Sequence, residues 1–277
     1  LLKYLNNRFL RVYMNLVDVH AHLDHDQFKN DLDEVIARAK KAGVKRILTS
    51  GVNSVANRAI LEISNKYDIV SPTFGLYPID ALAKELEAGE ASGFSRDVQA
   101  FDVDDEIKWI IKNKDKCAGI GEVGLDFNWG RENEKEQKAN FQKIIEMVEK
   151  INKPIIVHTR KAELDCIEML ESSKIKNIVL HCFSGRKHLV KRAADKGWNF
   201  SIPPVIVRLQ QFQIMADIVN ISQLLTETDC PYLSPFPGQR NEPANVIETI
   251  KKIAEIKKFN VEETADSIFL NYKRMFL

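Results

Sequence analysis

Phe-Gln-Lys-Ile-Ile-Glu-Met-Val-Glu-Lys-Ile-Asn-Lys-Pro-Ile-Ile-Val-His-Thr, residues 141–159, joins two different periodicities in one short stretch. Phe141, Ile144, Ile145, Val148 and Ile151 recur at helical spacing with Lys and Glu between them. Pro154 to Thr159 is instead a compact run of β-branched residues, which predicts a strand. Upstream, Cys117 to Leu125 predicts another strand. The same alternation spreads over the chain. Candidate strands are Leu16 to His22, Arg46 to Val52, Ile69 to Tyr77, Asn177 to Phe183, Trp198 to Ile202 and Leu224 to Asp229. Helical patterns lie between them, as at Ile107, Ile110 and Ile111. Lys-Ala-Gly-Val at 41–44 and Asp-Lys-Gly-Trp at 195–198 put glycine at a helix end just before the next strand.

Strand and helix alternating eight times imply parallel strands joined by right-handed crossovers. The chain has 277 residues, and closed barrels of this kind take about 250 as one unit. No glycine-rich dinucleotide fingerprint follows the first strand, which weakens the open doubly wound alternative. The reading is an α/β fold, a (β/α)8 TIM-type barrel in a single domain over residues 14–277. Residues 1–13 read as an N-terminal extension or cloning remnant, since Met14 stands just before the first strand. The stretch 88–100 reads as an extended loop.

Formal net charge is +1, which argues against a broad basic surface but permits a local phosphate-binding patch. No apolar run approaches the roughly 20 residues that span a bilayer. Cys117, Cys166, Cys182 and Cys230 form no CxxC pair. Reduced core thiols in a cytoplasmic protein are the simplest expectation. The default oligomeric expectation is a monomer.

The chemistry lies at the strand ends. Val-Asp-Val-His-Ala-His ends in His20 and His22, Gly-Ile-Gly-Glu holds Glu122, and Ile-Ile-Val-His ends in His158. Val-Leu-His gives His181, and Leu-Leu-Thr-Glu-Thr-Asp gives Asp229. Side chains alternate along a strand, so His20 and His22 face the same way, and all six residues lie at the rim where barrel active sites are built. One histidine in a strand is usually a hydrogen-bonded core residue. Six N/O donors converging on one rim suit two divalent metal ions, Zn²⁺ or Mn²⁺, with Mg²⁺ also compatible. The same alternation turns Cys182 and Cys230 away from the centre.

His-Ala-His-Leu-Asp, Gly-Glu-Val-Gly-Leu-Asp, Val-His-Thr-Arg, His-Cys-Phe-Ser-Gly and Glu-Thr-Asp-Cys-Pro-Tyr-Leu together resemble the motif series of the TatD family of metal-dependent DNases. The resemblance runs from about Asn15 to the C-terminus, in the family's order. It implies that His20, His22, Glu122 and Asp229 hold one metal, and that Glu122 bridges to a second held by His158 and His181. It implies 3′-to-5′ exonuclease action on DNA, and the small loops and near-zero net charge make single-stranded or frayed ends the expected partners. Asp229 and Glu122 are then the catalytic carboxylates, Asp229 orienting water and taking its proton. Glu227 is expected as a buried support beneath the metals.

Arg160 is the first choice for a phosphate clamp. Arg240, in Arg-Asn-Glu-Pro, resembles the family's substrate-side loop, and Tyr77 stands where many members carry His, so its hydroxyl is expected to meet substrate. Two other readings stay open. A different binuclear hydrolase on the same barrel would cleave an aminoacyl-tRNA ester, amide or lactone. A non-catalytic barrel would only bind nucleic acid.

Overall fold

The structure is a computed structural model that describes residues 14–82 and 100–277. The extension expected at 1–13 and nearly all of the loop expected at 88–100 lie outside the described residues. Eight parallel strands follow one another in sequence order around a single sheet. They are β1 (Leu16–Ala21), β2 (Val44–Ser50), β3 (Val70–Phe74), β4 (Gly119–Asp126), β5 (Ile155–Arg160), β6 (Ile178–His181), β7 (Asn199–Ile202) and β8 (Leu224–Thr226). Helices α1 (Leu32–Ala42), α2 (Ser54–Lys66), α3 (Val103–Asn113), α4 (Glu134–Ile151), α5 (Glu163–Glu171), α6 (Lys187–Asp195), α7 (Gln210–Ile218), α8 (Val246–Lys257) and α9 (Val261–Phe276) cover it. The expected single-domain (β/α)8 barrel is the architecture found. No helix among the described residues is long and apolar enough to cross a membrane.

Local chemistry accounts for the elements. Phe141, Ile144, Ile145 and Val148 form the buried face of α4, and Ile151 is half-buried at its end. Ile107 and Ile110 pack inward from α3, whereas Ile111 is exposed. Gly43 ends α1 in the left-handed region at φ 101°, its N–H bonded back to Ala39 and Lys40. A Cβ there would lie 2.7 Å from the Met14 carbonyl oxygen, so glycine also admits the chain entering β1.

Two strands stop three residues earlier than the sequence pattern suggests. β3 ends at Phe74 and β8 at Thr226, leaving Tyr77 and Asp229 in the loops beyond. The reason at β8 is the barrel seam. Asp18 of β1 accepts hydrogen bonds from the Thr228 amide at 2.9 Å and from its hydroxyl. His20 O accepts from Asp229 N at 2.8 Å, and His22 N donates to Cys230 O at 2.9 Å. These bonds close the sheet while Asp229, at φ 54°, turns into the mouth.

Candidate metal centre

Side chains from five strand ends meet in a cavity of 360 Å³ at the C-terminal rim. His20 Nε2 and His22 Nε2 are 3.3 Å apart. Asp229 Oδ1 is 3.6 Å from the first and 3.2 Å from the second. Glu122 Oε2 is 3.4 Å from His20 Nε2 and 3.5 Å from His22 Nε2. Ligand bonds of about 2.0–2.1 Å in a tetrahedron place ligand atoms about 3.4 Å apart, so this donor set fits one cation. The other carboxylate oxygen, Glu122 Oε1, is 2.8 Å from His158 Nδ1 and 3.7 Å from His181 Nε2. Glu122 thus faces two histidine pairs with one oxygen each, a geometry that can bridge two ions.

A further layer holds these rings. Ser50 Oγ lies 3.1 Å from His20 Nδ1 and 3.0 Å from Thr73 Oγ1. Glu227 Oε2 is 2.8 Å from His181 Nδ1, and its carboxylate also accepts from Ser201 Oγ and, at 2.9 Å, from Cys182 N. Asp126 Oδ2 is 3.1 Å from His158 Nε2 and accepts from the Tyr77 hydroxyl at 2.7 Å. Asp126 Oδ1 accepts from the amides of Asn128 and Trp129 at 2.9 and 3.2 Å. Such outer contacts fix the tautomer and direction of a ligating imidazole.

Charge in the site is arranged for a cation. Burial pushes the Glu122 carboxyl up, but hydrogen bonds from His158 and His20 outweigh it and hold it well below the usual range. Burial disfavours protonated His181, yet the Glu227 charge and hydrogen bond carry its pKa to about 10. Burial acts likewise on His22 and His158 and is overcome by Asp229 and by Asp126. A field of carboxylates that draws protons onto these rings also favours a divalent cation, which competes with those protons.

All six expected ligands therefore converge. Arg160 lines the same cavity, its guanidinium 5.7 Å from the Trp129 ring centre. Tyr77 lines it too, but the hydroxyl expected to meet substrate donates to Asp126. Arg240 departs from expectation. Its guanidinium makes a paired ion contact with Asp31, at 2.9 and 2.5 Å, and sits 4.6 Å over the Phe28 ring, away from the cavity lining. Cys230 is buried as alternation requires, whereas Cys182, at φ 45°, breaks the alternation and lines the mouth. Asp18, Ser50 and Asp126 were not foreseen. Parity could have found two of them, because Asp18 shares a strand face with His20, and Asp126 with Glu122.

An eight-stranded barrel with such a His/Asp/Glu cluster at its C-terminal rim defines a metal-dependent hydrolase. Comparison with known proteins narrows the class. The family profile described as TatD related DNase matches residues 17–277, and the chain belongs to that family. A putative deoxyribonuclease TATDN3 from Mus musculus is 34% identical over 268 residues, covering 95% of this chain and 88% of the relative. An uncharacterized metal-dependent hydrolase, YabD from Bacillus subtilis, is 32% identical over 270 residues, covering 94% and 98%. Among solved structures, the TatD homologue YJJV from Escherichia coli superposes with a TM-score of 0.82 at 20% identity, over 95% of this chain and 98% of that one. This last likeness concerns the fold.

Proposed function

We propose that this protein hydrolyses phosphodiester bonds of DNA with two divalent cations, acting as a monomeric 3′-to-5′ exonuclease on single-stranded or frayed ends. His20, His22, Asp229 and Glu122 Oε2 would hold one ion, and Glu122 Oε1, His158 and His181 the other. The observation that carries the reading is the division of Glu122 between two histidine pairs, with donor spacings of 3.2–3.6 Å around its Oε2. The relatives' names supply the substrate class.

Bound cations would supply Lewis-acid polarisation of a phosphoryl oxygen and acidify a water for attack. The protein's own groups do the rest. Asp229 turns its carboxylate into the cavity beside His22 and can orient the incoming water and accept its proton. Arg160 offers a planar fork to a non-bridging phosphate oxygen. Glu227 and Asp126, each occupied by several donors, hold His181 and His158 at fixed angles. The four cysteines are unpaired thiols, which supports a cytoplasmic setting.

The test is a nuclease assay on end-labelled single- and double-stranded DNA, after chelation and after return of Zn²⁺, Mn²⁺ or Mg²⁺. Chelation should abolish cleavage, one ion should restore it, and nucleotides should appear from the 3′ end. Full cleavage by a metal-free sample would refute the mechanism. Restored metal with ester, but not DNA, hydrolysis would favour the aminoacyl-ester alternative.

A further inference from the structure

The basic residues near the rim are not equivalent. Arg240 is committed to Asp31, and Arg208 donates to the Ser234 carbonyl. Arg160, Lys161 and Arg186 are exposed and, among the described residues, have no carboxylate within ion-pair distance. These three line one further cavity, of 680 Å³, in the loops after β5 and β6. Of its two acidic lining residues, Asp165 is paired with Lys138 at 2.6 Å and Glu163 faces Ser184. The cavity therefore carries a surplus of free positive charge.

This second cavity joins the metal cavity. Arg160, Ser184 and Gln211 line both. The metal cavity is also lined by the apolar side chains of Leu209, Phe212 and Leu233. Arg160 is the one Lys or Arg among the described residues lining that central space. Trp129, 47% exposed, stands beside Arg160, whose guanidinium lies 5.7 Å from its ring centre, and offers a face on which a base can stack.

We propose that the β5/β6 cavity is the lane along which the phosphodiester backbone of a single DNA strand leaves the metal centre. The terminal nucleoside rests against Leu209, Phe212 and Leu233. Arg160 meets the phosphate at the boundary, and Lys161 and Arg186 meet the next ones along. Unpaired cations on one side of a cavity follow a polyanion in that direction and read no base sequence. The inference rests on the nuclease reading for the position of the cleaved bond, but the lane itself is tested by binding.

The experiment uses the metal-loaded full chain with Lys161→Gln and Arg186→Gln combined. Both side chains are exposed, so unchanged circular dichroism and melting are expected. Binding is read by fluorescence anisotropy on a single-stranded oligonucleotide with slow-cleaving phosphorothioate 3′ linkages. Turnover is read on that sequence with ordinary linkages and on p-nitrophenyl thymidine 5′-phosphate, which is too short to enter the lane. The double variant should bind the oligonucleotide about tenfold more weakly at low salt. The slope of log affinity against log salt should fall by about 1.4, two phosphate contacts at about 0.7 each on single strands. KM for the oligonucleotide should rise while kcat and hydrolysis of the small ester stay the same, and Lys161→Arg should behave as the parent. Unchanged affinity and salt slope, or an equal loss on the small ester, would overturn the lane. If the parent binds with the expected slope yet cleaves no DNA with any cation, the nuclease reading fails and the lane stands. If the parent cleaves and the variant binds normally, the lane fails and the nuclease reading stands.

Discussion

Replacing Gly75 with alanine tests how the barrel delivers Glu122 to the metal centre. Gly75 follows β3, and a Cβ built there would lie 2.2 Å from Glu122 N, 2.3 Å from Gly121 C and 2.5 Å from Glu122 O. Non-bonded heavy atoms settle near about 3.5 Å, so alanine forces a backbone separation of about 1 Å. The obstacle is main chain, so rotating a side chain does not relieve it. Glu122 N is also tied to Gly51 O at 2.9 Å, which limits where the backbone can go. Its two oxygens stand 2.8 Å from His158 and 3.4 Å from His20, so a shift of that size uncouples both donor sets. Overpacking of this kind costs about 1–3 kcal/mol, or a melting temperature lower by about 2–10 °C for a domain of this size. Misplacing a reacting group by about 1 Å costs about 100-fold in rate. The assay is Zn²⁺ or Mn²⁺ binding by titration calorimetry, with nuclease rate measured well below the melting temperature. Gly197→Ala is the control. It lies at φ 80° with no atom within 4 Å of a built Cβ, so it should cost about 1 kcal/mol of backbone strain and leave metal binding and rate alone. A folded Gly75→Ala protein with parental metal affinity and rate would refute the link between Gly75 and the carboxylate.

Asp229→Asn should keep part of the metal affinity and lose most turnover, at least about 100-fold, as expected for a general base; an unchanged kcat removes Asp229 from that role. Asp126→Asn should weaken metal binding by about 10–100-fold through His158, with Tyr77→Phe acting in the same direction less strongly. Metal titrations of both variants check this. Arg160→Ala should raise KM for DNA and leave metal stoichiometry unchanged, measured by elemental analysis. Arg240→Ala should leave the rate near the parent's and lower stability by about 0–1 kcal/mol, because its partly exposed ion pair with Asp31 is structural; a collapse of DNA cleavage in a stable protein would return Arg240 to the substrate site.

The barrel is readable because its information is local and repeated. Alternating faces along a strand and the 3.6-residue period of a helix are written in consecutive residues, as at Phe141 to Thr159. The convergence of His20, His22, Glu122, His158 and His181 follows from the same parity once the strands are parallel and closed, whereas Asp229, beyond β8 at φ 54°, arrives by the turn of its backbone. Two strand ends do not follow it. β8 stops at Thr226 because Asp18 captures Thr228 from across the seam, a contact between residues 210 apart in sequence. Cys182 turns toward the mouth because its backbone enters the left-handed region. Neither event has a local signature.

The outer residues show the same division more sharply. Tyr77, Arg160 and Arg240 look alike in sequence, each a polar side chain at or beyond the end of a rim strand. What separates them is which carboxylate reaches them first. Asp126 takes the Tyr77 hydroxyl, and Asp31 takes both arms of Arg240, while no described carboxylate claims Arg160. Those carboxylates come from other turns of the barrel, in α1's approach and at the end of β4. Substrate contacts are therefore decided by subtraction. A long cation is available to phosphate only where the fold has not already neutralised it, and that is a property of the folded surface. Strand parity sets most of the candidate metal ligands, whereas the proposed path of the substrate follows the cations left unpaired at Arg160, Lys161 and Arg186.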